Sequence, residues 1–442
     1  MWRARAVILI LGAAILAGCR EEKRIAPTRN LFMARSVVLA RGEVVPQATA
    51  YEYPHSSTGG VISSIKGGIS MSSVAPPKPV RRESLSSFLL DSSVKKVRRV
   101  EMAAVKGTQP IALLKDSGLI LEGIAKRRLP DGSVLTSARL ASEDGTATLR
   151  SGPEGVSGMI KTNNLTILLV PLQDGGSAHL EVDQRQLPGD HVGWNGDAKV
   201  GSWLGAATAL DTCPTLEDVG TVRIQVALLY SKQAEKRADE IGYSIVTKLS
   251  GAIDATNESF EKTSIPVEIV PRIEPMEFIE SGSMADDLSR FSAIGEGAAA
   301  RKARDRLAAD LVIGVLDNDE ACGLAAGIGP DSDDAFAVVY WRCADSGLSL
   351  AHEIGHLLGG RHDPENDPFD KPFTFQHGFI KRAGAKSFLT VMALRPPDMP
   401  GDRIKLWSSP HVQFQGYAAG STSRNHDACV ISQMAPIVAA YR

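Results

Sequence analysis

The chain has 442 residues, of which 43% are hydrophobic and 23% are charged. It therefore has apolar material for more than one buried core and is not a wholly disordered chain. Its 49 Lys and Arg residues nearly balance its 51 Asp and Glu residues. This balance excludes the strong positive charge typical of nucleic-acid-binding proteins, so no nucleic-acid partner is expected. At this length we expect two or three domains.

The N-terminus has the features of a secretory signal. Arg3 and Arg5 precede an apolar run at 6–17, and Gly18 and Cys19 follow it. The run is too short to span a membrane as a helix. Its end, Leu-Ala-Gly-Cys, resembles the lipobox of bacterial lipoproteins, which implies a signal peptide at 1–18 and a lipid on Cys19. The alternative is an ordinary signal peptide with a chance cysteine. We predict an exported bacterial lipoprotein, held at a cell-envelope membrane by lipidated Cys19.

Residues 19–100 are predicted to contain the lipid anchor and a flexible linker. Between Arg20 and Val100 the chain is rich in Ser, Gly and Pro and has 14 basic and 6 acidic residues. It shows little helical or strand periodicity, which is typical of a tether. The basic residues could contact anionic lipid headgroups or could simply keep the linker solvated.

Residues 101–212 are predicted to form a mostly β domain. Turn pairs such as Asp131-Gly132 and Asp174-Gly175 separate short apolar runs, which lie at 111–114, 119–124, 158–162 and 165–171. Regular spacing of short strands and turns favours a compact β domain.

Residues 213–442 alternate between strand and helix patterns. Helices are predicted at 233–260 and 284–308, the second capped by Ser283. Apolar strands are predicted at 222–230, 267–273, 311–316 and 335–341. Because such alternation builds crossover connections, we predict an α/β domain with a largely parallel sheet and an antiparallel edge.

One segment carries the residues of a metal site. His352 and His356 are four residues apart, so on a helix both imidazoles project from one face and can share a tetrahedral zinc ion. Gly359 can take a positive φ at the helix end and turn the chain so that His362 supplies a third nitrogen. Glu353 can reach a water on the zinc and act as its general base. Three protein ligands leave one position open, as in catalytic zinc sites.

These residues match the signature HExxHxxGxxH, and residues 220–442 resemble the metzincin metallopeptidases. Asp363, directly after the third histidine, is similar to the reprolysin (adamalysin) branch, and bacterial reprolysin-like and peptidyl-Asp metallopeptidases look closest. The resemblance implies a twisted mixed sheet with two long helices, an active-site helix, a Met-turn at Met392 and a closing helix at 427–441. It also implies that residues 404–410 line the S1′ pocket.

Four cysteines remain after Cys19, an even number for a protein exported to an oxidising compartment. Cys322 and Cys343 bracket the last predicted strand and are predicted to form a disulfide. Cys213 has two alternatives. It could pair with Cys429, which we favour because Cys429 otherwise has no partner, or its thiolate could fill the open zinc position and keep an enzyme latent.

The sequence as a whole predicts a lipid-anchored zinc endopeptidase that is made as a zymogen and acts on proteins or peptides. The stretch 158–181 resembles reprolysin-type propeptides. The alternative is a catalytically silent, zinc-stabilised lipoprotein that binds peptides, but such a protein would have no chemical need for Glu353.

One catalytic zinc ion is the expected cofactor. Acidic residues around Cys322, at 317–320 and 331–334, could hold Ca²⁺, but they lack the regular spacing of calcium-binding loops. Three further histidines are predicted to be structural or surface residues because the three-histidine site is already complete: His377, His411 and His426.

Overall fold

The structure, a computed structural model, describes residues 82–100, 121–140, 145–153, 155–174, 176–190, 200–202, 211–214, 220–294 and 298–442. The predicted signal peptide, Cys19, most of the predicted linker and the apolar run at 111–114 lie outside the described residues. In the part of the chain that is described, every helix is too short or too polar to cross a membrane.

The first sheet has seven antiparallel strands. They are β1 (Val94–Val100), β2 (Leu121–Arg128), β3 (Val134–Leu140), β4 (Thr146–Gly152), β5 (Gly155–Lys161), β6 (Thr166–Pro171) and β7 (Ser177–Val182). Their spatial order is β1-β7-β6-β5-β4-β3-β2. Strands β2 to β7 therefore form a meander in the stretch predicted to be mostly β, and β1 pairs with β7 at one edge.

The structure places two ordered elements in the stretch predicted to be a linker. A 3₁₀ helix at Arg82–Leu90 precedes β1, and its Phe88 is fully buried. The basic residues of β1 face acidic partners: Lys95 Nζ lies 2.7 Å from an Asp183 carboxylate oxygen, and Lys96 Nζ lies 3.5 Å from Glu181. Four basic residues in the seven of β1 hide the apolar alternation that identifies a strand.

The two faces of this sheet have different apolar partners. Met159, Leu168 and Val170 belong to a large core shared with the rest of the chain, whereas their neighbours Ile160 and Leu169 belong to a separate cluster. Alternation along β5 and β6 produces this division because successive side chains of a strand point to opposite faces. One face of the β sheet is thus packed onto the segment that carries the histidines.

The second sheet has five strands in the order β11-β12-β10-β8-β9. The strands are β8 (Val222–Ser231), β9 (Val267–Met276), β10 (Leu311–Leu316), β11 (Gly323–Ala325) and β12 (Phe336–Tyr340). Four strands are parallel, and β11 is an antiparallel edge. All residues of β10 and β12 are buried, as expected for central strands of a sheet covered on both faces.

Six α helices lie within the described residues. They are α1 (Lys232–Glu240), α2 (Ile245–Lys262), α3 (Met284–Phe291), α4 (Ala299–Leu307), α5 (Ser349–Leu357) and α6 (Asp427–Val438). Each of the two long helices predicted from periodicity is therefore two shorter helices, α1 with α2 and α3 with α4. The first pair breaks at Gly242, with φ of 94°, and Ser244 caps α2; Ser283 caps α3 as predicted.

Short hairpins and two disulfides complete the fold. The hairpin strands are β13 (Ile380–Lys381), β14 (Phe388–Leu389), β15 (Ser409–Phe414) and β16 (Tyr417–Ala419). Cys213 is bonded to Cys429 on α6, and Cys322 is bonded to Cys343. Both pairs are those favoured from the sequence, and in this arrangement the Cys213 sulfur is not available as a zinc ligand.

Candidate active site

Helix α5 carries the first two histidines and the glutamate. All nine of its residues are buried, which places the polar side chains of His352, Glu353 and His356 inside the protein. The helix ends before Gly359, whose φ of 89° only glycine adopts readily. The chain reverses there and brings His362 back against the helix.

The three imidazoles converge. Nε2 of His362 lies 3.3 Å from Nε2 of His352 and 3.0 Å from Nε2 of His356. Three nitrogens at about 2.0–2.1 Å from a tetrahedral zinc ion would be about 3.3 Å apart. The spacing therefore fits zinc.

Backbone carbonyls fix the tautomers of two of these rings. His352 Nδ1 lies 2.8 Å from Val391 O, and His356 Nδ1 lies 3.0 Å from Gly360 O. Since a carbonyl can only accept, each Nδ1 carries the proton and each Nε2 presents its lone pair. Burial also lowers the pKa of His352 to about 4, so this ring is neutral and able to bind metal at neutral pH.

The third histidine is positioned through its backbone. His377, fully buried, donates from Nδ1 to His362 O over 2.8 Å. Asp363 accepts from Leu394 N at 3.0 Å, which joins the third-ligand loop to the chain just after Met392. His377 therefore has a structural role, because it orients the loop that presents His362.

Glu353 is a buried carboxylate beside the three imidazoles. Neither of its oxygens has a hydrogen-bond partner among the described residues. Burial raises its pKa well above the ordinary value, with Asp190 adding to the rise and Arg403 opposing it. A buried carboxylate without partners is costly unless a ligand or the reaction uses it. The unpartnered glutamate and the three converging nitrogens together fit a catalytic zinc centre.

Met392 lies beneath the histidines as a fully buried side chain. It packs on Gly355, which lies between the two histidines of α5, and on Gly360. A Cβ at Gly355 would clash with the Met392 sulfur and would lie 2.7 Å from the ring of Trp407. The glycine inside the helix is what lets this apolar floor approach the three histidines.

Two residues at the site were not identified from the sequence. Asp190 accepts a bidentate pair of hydrogen bonds from the guanidinium of Arg403, with Nη1 to Oδ1 at 2.9 Å. Ser349 Oγ, at the start of α5, lies 3.3 Å from the same Oδ1. Arg403 directly precedes the 404–410 segment predicted to line the S1′ pocket, but nothing in the sequence pairs it with Asp190.

The remaining predicted residues lie elsewhere. Among the described residues, one other group of metal-type side chains comes together, that of Cys213, His426 and Cys429, and its two sulfurs form the disulfide. Two of the acidic residues considered for calcium accept hydrogen bonds from the protein: Asp317 accepts from Trp341 Nε1, and Glu320 from Met284 N.

Known proteins resemble this chain. The model of Metallo-peptidase family M12 (Reprolysin_5) matches residues 226–393. The peptidyl-Asp metalloendopeptidase of Xanthomonas campestris pv. campestris is 31% identical over 303 residues, which cover 66% of this chain and 69% of that protein. A protein of the same name from Stenotrophomonas maltophilia R551-3 is 28% identical over 387 residues, 81% of this chain and 89% of that protein.

Among solved structures, metalloproteinase-II from Bacteroides fragilis matches with a TM-score of 0.32 and 13% identity, over 65% of this chain and 87% of that chain. This similarity is too low to transfer features between the two proteins. The family match and the Xanthomonas and Stenotrophomonas relatives show that the chain belongs to the reprolysin-like metallopeptidases of family M12 and is a metalloendopeptidase.

Proposed function

We propose that this metalloendopeptidase holds one zinc ion on His352, His356 and His362 and uses Glu353 as its general base. The observation that carries the proposal is the position of Glu353, buried beside three converging Nε2 atoms with both carboxylate oxygens unpartnered. A protein that only bound peptides would need the histidines but not this carboxylate.

When bound, the zinc ion supplies a Lewis acid that polarises the peptide carbonyl and lowers the pKa of water. Glu353 accepts a proton from the attacking water as the new carbon–oxygen bond forms at the carbonyl carbon. It then passes that proton to the amide nitrogen as the carbon–nitrogen bond breaks. The resulting carboxylic acid gives its remaining proton to the amine, so the products are a carboxylate and an ammonium group. The enzyme therefore needs Glu353 ionised at the start of each turnover.

The substrates are proteins or peptides cleaved beside an acidic residue. Support for this substrate class comes from the relatives in Xanthomonas and Stenotrophomonas, which are named peptidyl-Asp metalloendopeptidases.

The seven-stranded sheet acts as a propeptide domain, so the chain is made as a zymogen. In support, the segment that leaves β7 runs to the active-site edge, where Gly189 O accepts from Cys322 N at 2.7 Å. The basic pairs at 95–96 and 98–99 lie within β1, whose backbone is paired with β7. A paired strand is a poor protease substrate, so we place maturation after the sheet.

The chain is exported and, before maturation, is held by a lipid on Cys19. This part of the proposal is supported by the lipobox-like end of the signal segment. One lipid chain gives only marginal binding to a membrane, so anchoring needs the several chains of a lipoprotein or help from the basic linker.

The test is zinc removal and replacement on the purified full chain. A peptide library is digested before treatment with 1,10-phenanthroline, after it, and after zinc is restored, and the products are identified by mass spectrometry. We expect cleavage N- or C-terminal to Asp that disappears with chelation and returns with zinc. Cleavage that survives complete removal of the metal would overturn the proposal.

A further inference from the structure

The segment after β7 lies along β11, the edge strand whose Gly323 contacts Glu353. Gly189 O accepts from Cys322 N at 2.7 Å, and Asp190 O accepts from Gly323 N at 3.3 Å. Since β11 is the last strand of its sheet, its outer N–H groups are where an extended peptide would add. Residues 189–190 therefore occupy backbone positions that a substrate would use.

The Asp190 carboxylate is bound by side chains that could bind any carboxylate in the same way. Its carboxylate is held by both Nη atoms of Arg403 and by Ser349 Oγ. The Asp190 side chain is 10% exposed and that of Arg403 is 7% exposed. Water is thus largely excluded from this ion pair, and a guanidinium fork matches a carboxylate better than any other side chain does.

Arg403 is fixed between the two segments that frame the metal centre. It donates to Gly347 O at 3.0 Å, just before helix α5, and to Ala393 O at 2.8 Å, directly after Met392. Ser349, which shares Asp190 with it, is one helical turn before His352. The guanidinium is therefore held close to the reacting centre by protein groups that do not depend on Asp190.

We propose that Arg403 recognises the acidic side chain of the peptide substrate and that Asp190 occupies its place as an internal mimic. This inference rests on the proposed cleavage beside acidic residues and assigns that preference to one residue. It follows that the intact chain cleaves substrates slowly because Asp190 and the backbone of 189–190 fill the substrate's position, and that removal of this segment exposes Arg403.

The mimic is tested on the intact chain, with its mass confirmed before and after assay. We expect D190N to raise kcat/KM for an Asp-containing fluorogenic peptide at least ~10-fold, because an amide is a poorer partner for the guanidinium. D183N is the matched control: Asp183 belongs to the same segment but pairs with Lys95 and Arg185. Equal rates for D190N and the unaltered chain would overturn the mimic.

The recognition residue is tested in the D190N background with two peptides that differ only by Asp or Asn at one position. We expect kcat/KM for the Asp peptide to exceed that for the Asn peptide about 100-fold, the size of effect seen when a buried charge pair loses one partner. R403Q should bring the ratio close to 1, because the Asp peptide then loses its charged partner. R403K, which keeps the charge without the fork, should restore part of the ratio.

The control for Arg403 is Arg395, a neighbouring arginine that pairs with Asp402 and not with Asp190. R395Q should keep the ratio near 100. The inference would be overturned if the ratio stayed near 100 in R403Q, or if R403Q and R403K lowered kcat/KM for both peptides by the same factor. Arg403 would then be a structural residue. Zinc-dependent cleavage without preference for Asp also overturns it, while absence of any zinc-dependent cleavage overturns the proposed function beneath it.

Discussion

Glu353 lies against the backbone of Gly323 on the edge strand β11. A Cβ at Gly323 would be 2.5 Å from Glu353 Oε1 and 2.8 Å from its Cδ. The Glu353 carboxylate therefore occupies space that exists only because position 323 has no side chain. This contact links the edge strand, where an extended peptide would add, to the group proposed to move the proton.

G323A should lower kcat/KM at least ~10-fold, because small displacements of a positioned catalytic group are costly. Zinc content should stay at one ion per chain, since no histidine is touched. The control is G251A in α2, where a Cβ meets nothing within 4 Å; it should keep full activity. Normal activity in a folded G323A variant would show that Glu353 needs no such space.

Met392 should contribute to the stability of the site by packing. It is fully buried and contacts Gly355 and Gly360. M392A should lower the free energy of unfolding by about 2–5 kcal/mol, and M392L by less than about 1.5 kcal/mol because its volume is similar. Urea unfolding of the zinc-loaded protein measures both. If M392A were as stable as M392L, the side chain would not be part of a close-packed floor.

Lys161 should make the free energy of unfolding depend on pH in the range from neutral to alkaline. It is buried on β5, where its Nζ donates to Thr166 Oγ1 at 2.9 Å, and burial lowers its pKa from 10.5 to about 7. Between these values the unfolded chain binds the extra proton, so the free energy of unfolding should rise with pH. The slope from one group is at most about 1.4 kcal/mol per pH unit.

K161M should remove that slope. The amount by which its free energy of unfolding exceeds that of the unaltered chain should be largest below pH 7 and decrease towards pH 10.5. Urea unfolding at several pH values from 7 to 10 measures it. The control is K232M, at a lysine whose side chain is 67% exposed. A slope that is unchanged in K161M would mean that Lys161 stays protonated in the folded protein.

The three converging histidines could be predicted because they lie within one short segment. The spacing of His352, His356 and His362 fixes their geometry once a helix and a glycine turn are assumed. Gly359 does take the positive φ that this turn requires. The parallel strands were predictable for a similar reason, since buried runs such as 311–316 are continuous in sequence.

Other features depend on contacts between distant parts of the chain. Asp190 and Arg403 are 213 residues apart, and neither stands in a pattern that distinguishes it from a surface charge. Strand β1 was not predicted, because the acidic partners of its basic residues are distant in sequence, as Glu181 is for Lys96 and Arg98. The break at Gly242 was also missed, since helical periodicity continues on both sides of it.

Cys213 provides a test between the two alternatives drawn from the sequence. Its disulfide to Cys429 closes a loop of 216 residues, for which the chain-entropy model gives about 5 kcal/mol. C213S and C429S should each lower the free energy of unfolding by about 2–5 kcal/mol, and neither should raise activity. A non-reducing peptide map should show the linked peptides. A free Cys213, together with activity that rises in C213S alone, would establish the zinc latch instead.

The most direct test of the central claim is E353Q, assayed together with its zinc content. The amide keeps the size of the side chain and leaves the three imidazoles in place, but it cannot accept the proton. The control is E365Q, because Glu365 is exposed and pairs with Arg382. We predict that E353Q binds one zinc ion per chain and loses at least ~99% of kcat, while E365Q keeps its activity. A zinc-loaded E353Q variant that retains more than a few per cent of kcat would contradict the account.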